Sequence, residues 1–216
     1  MTQRTINQRI DQVSGQKCRV SGCNLDRYRI SPYCVSHWSA NHNHGHPVHR
    51  AIAKQDFAQY VNHMGRIVHV NGNHQGIQHA ISTIENLIRL SFDPYSTVPA
   101  KQYLNRLNPS DGRQIFISLS ACLYFCMTTD WVETDRQVNF ALGKTLLRFK
   151  PLSATIYGHY LRDTGIWIKD KIGPMLVNMV NSLRDMEKRK LSIDAAYRAP
   201  LVMPKGLTGR YPKVDE

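Results

Sequence analysis

The chain has 216 residues, 28 of them Lys or Arg against 16 Asp or Glu, which gives a formal charge of +12 at neutral pH. A hydrophobic share of 42% with only 20% charged residues excludes a disordered chain. An odd count of five cysteines argues against a disulfide scaffold, and the longest apolar stretch, Ile115 to Met127, is broken by Ser118 and Ser120 and too short to cross a bilayer.

Residues 1–16 hold Arg4 and Arg9 among Gln and Asn and form either a short helix or a loose basic arm. Residues 17–47 carry Cys18, Cys23, Cys34 and His37 in the order Cys-x4-Cys-x10-Cys-x2-His. Three thiolates and an imidazole complete one closed tetrahedral shell, and two short-spaced pairs joined by a loop bring four ligands to one ion. These four residues are therefore the expected ligands of a structural Zn2+. Gly22, Ser31, Pro32, Gly45 and Pro47 punctuate the segment, which has no room for a core of its own, so the ion must hold this knuckle together.

Residues 48–191 read as a helical domain. Ile52, Phe57, Tyr60, Val61, Met64, Ile67 and Val68 recur at three and four residues and predict a helix from Val48 to about His69. Asn71-Gly72-Asn73 breaks it, and Ile77, Ile81, Ile84, Leu87 and Ile88 predict a second helix from His74 or Gln75 to Leu90. Pro99 opens a short helix through Leu107. Asn108 as cap and Pro109 in the first turn start a buried helix to about Met127. Further helices are predicted over Val132–Phe149, Ser153–Leu161 and Trp167–Lys190, the last kinked or divided at Gly173-Pro174. Residues 192–216, with Pro200, Pro204, Gly206, Gly209 and Pro212, read as an extended basic tail. The expected fold is mainly α, a zinc knuckle followed by about six helices in a bundle-like domain.

The stretch Cys18-Arg-Val-Ser-Gly-Cys23, then Tyr33-Cys34-Val-Ser-His37-Trp38, then Gly45-His46-Pro47, resembles the small zinc module of phage and mobile-element proteins found beside the nuclease domains of HNH-type endonucleases. The likeness covers about thirty residues. It implies that Cys18, Cys23, Cys34 and His37 bind zinc, that Trp38 packs against the knuckle, and that Gly45-His46-Pro47 turns the chain out of a short helix. That module usually carries Arg or Lys on the helix after its histidine, whereas here the segment reads Ser-Ala-Asn-His-Asn-His.

Nine of ten histidines lie between His37 and His79. They could bind a second metal or build a ββα-metal nuclease from His44 or His46, Asn71 or Asn73, and His74 or His79. Helical rather than strand periodicity over Val48–Val70, and Asp56 as the only carboxylate between Asp26 and Glu85, argue against that site. Gly143-Lys144-Thr145 is no phosphate loop, since position 138 is Val and the segment lies inside a helical pattern. Cys122 and Cys126, four apart, read as buried small hydrophobes.

A surplus of positive charge draws polyanions. Arg184, Lys188, Arg189 and Lys190, then Arg198, Lys205 and Arg210 of the tail, are the candidate nucleic-acid contacts. The expectation is a zinc-containing nucleic-acid-binding accessory protein of a phage or mobile element, acting in transcription, replication or packaging. It would work in the cytoplasm, that of the bacterial host if viral, without a membrane partner, and more as a binder than an enzyme. The alternatives are an assembly component that docks a protein partner through its C-terminal tail, and a metal-dependent HNH-like nuclease.

Overall fold

Eight α-helices form among the residues that the computed structural model describes, 3–13 and 15–189, with no strand beyond an isolated bridge between Lys17 and Asp26. They are α1 (Gln3–Val13), α2 (Val35–His44), α3 (Lys54–Val70), α4 (Gln75–Leu90), α5 (Lys101–Leu104), α6 (Gly112–Thr128), α7 (Asp135–Leu147) and α8 (Gly158–Arg189). The chain is mainly α, as its periodicity predicts, with six α-helices after the knuckle among the described residues. None of the described helices is long and apolar enough to cross a membrane.

The centre of the body is α6, which contacts α3, α4, α7 and α8. Every side chain from Ile115 to Tyr124 is buried, and so is Cys126. Its two serines remain compatible with that position because they are small, and Ser120 Oγ donates to the Phe116 carbonyl at 2.9 Å. Asn108 caps the 3-10 turn Pro109–Asp111 that leads into α6, its side chain accepting from the Ser110 N–H. Cys122 and Cys126 are buried free thiols, and the bond to Cys122 together with burial pushes the Cys126 thiol well above its ordinary range.

Several helix boundaries differ from the sequence expectation, among them α5, which is confined to Lys101–Leu104 rather than reaching Leu107. The predicted start at Val48 is really Lys54, because residues 48–53 form a strap with its own partners. His46 Nδ1 accepts from the Val48 and His49 N–H groups, and the Asp56 carboxylate takes the Ala53 N–H at 2.7 Å. Likewise α7 begins at Asp135 rather than Val132, since Thr134 and Gln137 close a reciprocal capping box there. Finally, no helix covers 153–157, and α8 then runs unbroken from Gly158 through Pro174.

The polar run Arg162-Asp163-Thr164-Gly165 looks like a break but is a packing seam. Thr164 is fully buried, and a Cβ on Gly165 would lie 1.8 Å from the Asn139 carbonyl oxygen of α7. Gly143 of α7 has the matching relation to the Leu161 carbonyl oxygen of α8, again 1.8 Å. Two glycines thus let α7 and α8 approach backbone to backbone. At the far end of α7, the Arg106 guanidinium donates to the carbonyls of Leu147, Lys150 and Pro151, supplying the helix terminus with donors it lacks.

Candidate metal centre

The knuckle is built almost wholly from turns. Gly22 in the left-handed region and the Cys23 N–H to Val20 carbonyl bond shape the first loop, and the Arg19 N–H to Pro32 and Tyr28 N–H to Tyr33 bonds fold the second loop over it. Cys34 is the N-cap of α2, which places His37 in that helix's first turn, facing back toward the cysteines.

Cys18, Cys23, Cys34 and His37 converge so that their ligand atoms all lie within 4.8 Å of one another. The Cys18 and Cys34 sulfurs are each 3.3 Å from His37 Nδ1, and the Cys23 and Cys34 sulfurs are 3.9 Å apart. A tetrahedral ion with ordinary zinc bond lengths requires edges of about 3.8 Å between sulfurs and about 3.6 Å between sulfur and nitrogen. The cluster therefore has the size of one ion's coordination shell, and these four residues can hold a metal ion.

Its electrostatics suit a cation. Burial pushes the Cys18 thiol up, but the backbone N–H groups of Val20 and Cys34, with His37 and Cys23, outweigh it and bring the pKa down to about 6. Cys23 is instead held above its ordinary value. The Leu25 N–H lowers it, yet burial and the neighbouring Cys18 and Cys34 prevail. Without an ion the cluster keeps protons on part of its sulfur, and a bound cation would displace them.

Aromatic stacking ties the centre to α2. Trp38 lies between Tyr28 (centroids 4.9 Å) and His42 (5.2 Å), and Arg29 covers Tyr28. α2 in turn rests on α7 and α8. Gly45 ends α2 at φ +84°, and a Cβ there would meet the Arg136 oxygen and Phe140 at 2.9 Å; a Cβ on Gly158 would be 2.2 Å from the His42 oxygen. The centre is thereby fixed to the helical body through close backbone contact.

The histidines weighed for a nuclease site lie at the end of α2, on the segment after it and around the start of α4. His74 caps α4, its Nδ1 accepting from the Gly76 N–H, and His79 is exposed on α4. His46 and His49 share an acid, Glu133, with His49 Nε2 at 3.3 Å and His46 Nε2 at 3.7 Å. Sequence reasoning missed Glu133 because it lies 84 residues from His49. This trio is not a metal site as it stands. His46 Nδ1 already accepts two backbone N–H bonds, so its Nε2 must carry the proton and cannot ligate.

The trio is instead a pH-sensitive clasp. Burial first, then the charge of His49, lower the His46 pKa, while Glu133 raises it less. The folded value lies below the unfolded one, so the unfolded chain binds the extra proton first. The His46 contribution is complete above about pH 6.5 and is lost as pH falls toward the folded value. His46→Asn keeps an acceptor for the strap without a titrating ring. Between pH 7.5 and 5.5 the native chain should lose on the order of 2 °C more in Tm than this variant, a difference readable by circular dichroism. Equal slopes would contradict the assignment.

Of the expected nucleic-acid contacts, Arg184 donates to the Met127 carbonyl at the end of α6, and Lys188 is exposed. The Arg189 side chain and Lys190, Arg198, Lys205 and Arg210 lie outside the described residues. No protein-family model matches the chain, and comparison with curated proteins and with solved structures gives no significant match.

Proposed function

We propose that the cluster holds a structural zinc ion and that the protein binds nucleic acid, as an accessory factor of a phage or mobile element rather than a catalyst. Zinc is favoured by the soft thiolate and imidazole set and by the tetrahedral edge lengths. The resemblance of residues 17–47 to the HNH-associated module supports both the metal and the source.

One observation carries the binding reading. Asn62, His63, Arg66 and His69 of α3, with Arg113 and Gln114 of α6, line a groove of about 890 Å³ whose walls, among the described residues, include no carboxylate. Cations and amide donors in an open channel suit a phosphate backbone, and the overall charge of +12 would steer it there. Phosphate binding of this kind releases counterions, so affinity for a short DNA or RNA duplex or single strand should fall steeply between 50 and about 200 mM salt. In fluorescence anisotropy, the double variant Arg66→Gln/Arg113→Gln should reduce the log–log salt slope by about 2.

A second reading has its own observation. Leu25 (60%), Ile30 (53%) and Val35 (60%) are exposed on the knuckle, an apolar face that suits a protein partner in an assembly. Absence of nucleic-acid binding at low salt would favour that reading over ours.

A further inference from the structure

Where the start of α3 faces the end of α7, a pocket of about 150 Å³ opens between Ile52, Phe57 and Phe149 on its apolar side and Lys54, Lys144 and Arg148 on its cationic side. Ser118 and Thr145 add hydroxyls. Thr145 Oγ1 gives its proton to the Ala141 carbonyl at 2.8 Å, which leaves its oxygen available as an acceptor, while Lys144 Nζ donates to the Ile52 carbonyl at 2.8 Å.

The charges here do not balance. Asp56 is the carboxylate that acts on Lys144, and it is already held by both Arg50 nitrogens at 2.7 Å and by the Ala53 N–H. Arg148 and Arg50 act on Lys144 against that one carboxylate among the described residues, and Lys54 lines the same pocket. A half-buried ammonium whose only bonded acceptor among the described residues is a neutral carbonyl lacks the counter-charge that burial normally requires. Burial, then Arg148, hold the Lys144 pKa below its ordinary value, as expected for an uncompensated cation.

We infer that this pocket binds a phosphate group. An anion carrying several acceptor oxygens can take bonds from the Lys144 and Lys54 ammonium groups, the Arg148 fork and the Ser118 hydroxyl at once, whereas a carboxylate has fewer oxygens to offer. The volume matches that of a cavity that admits one benzene-sized group and is below the roughly 300 Å³ at which drug-sized sites begin. It therefore takes a terminal phosphate with the rest of the ligand outside. Lys144 and Thr145 act here as side chains on a helix, with no cradle of backbone N–H groups. The site is separate from the α3–α6 groove and does not depend on nucleic-acid binding there.

The test is an NMR titration of the full chain with inorganic phosphate at constant ionic strength, with chloride and acetate as matched controls. Saturable shifts confined to the amides around Lys54, Thr145 and Arg148 are expected with phosphate. Arg148→Gln, an exposed change, should weaken them at least tenfold, Lys144→Met should abolish saturation, and Arg89→Gln, an exposed change at the end of α4 outside both the pocket and the groove, should change nothing. No saturation, acetate binding as tightly as phosphate, or an unaltered affinity in Arg148→Gln would overturn the assignment. A 5′-phosphorylated oligonucleotide competing where its 5′-hydroxyl counterpart does not would name a nucleic-acid end as the source; failure of both with phosphate still bound would name a free phosphate monoester.

Discussion

Cys34→Ser is expected to lower metal affinity by well over 100-fold and to unfold residues 17–45 while the helical core stays formed. Serine is a better N-cap than cysteine, so the substitution favours α2 locally and isolates the loss of the sulfur. Groups that merely orient a metal ligand already account for 10–100-fold in affinity, and removal of a ligand itself must exceed that. No apolar core of its own compensates, since Cys18, Cys34 and Gly45 are the buried residues of 17–47. Amide hydrogen exchange should show protection lost from 17–45 but kept across α6. Unchanged protection in the variant would mean that turns and stacking alone hold the knuckle.

The second large effect lies in the body. Gly143→Ala and Gly165→Ala should each destabilise by about 3 kcal/mol or more, because either Cβ would stand 1.8 Å from a carbonyl oxygen of the facing helix. An ordinary van der Waals contact needs both helices to separate by well over an ångström. That movement would loosen the buried side chains Leu142, Leu146, Leu161, Ile168 and Ile172 around the seam. Alanine's better helix propensity offsets only about 1 kcal/mol. Gly65→Ala in α3 is the control: its Cβ meets nothing within 4 Å, so it should stabilise by about 0.4–1 kcal/mol. Denaturant midpoints of the three variants give the answer directly. Similar signs for Gly65 and Gly165 would refute the seam.

How far the sequence reaches follows from the range of each interaction. Helix α4 was legible to within one residue at its start and to the residue at Leu90, because its apolar stripe and its break at Asn71-Gly72-Asn73 are local signals. The convergence of Cys18, Cys23, Cys34 and His37 was legible too, as their spacing within one short segment leaves few arrangements. The strap 48–53 was not, since Val48 and Ile52 continue a helical spacing while the contacts that override it come from His46, Asp56 and Lys144. The expected gap between Leu161 and Trp167 failed for the same reason, since the packing that keeps α8 helical across it, with Gly165 against α7, comes from a neighbouring helix. Glu133 beside His49, and Arg66 beside Arg113, join residues brought together only by the completed fold.

The most direct measurement is metal analysis combined with X-ray absorption on the purified, folded protein. The account predicts about one zinc per chain bound by three sulfurs and one nitrogen. Fully folded protein without a transition metal, or an edge spectrum free of sulfur ligation, would contradict it.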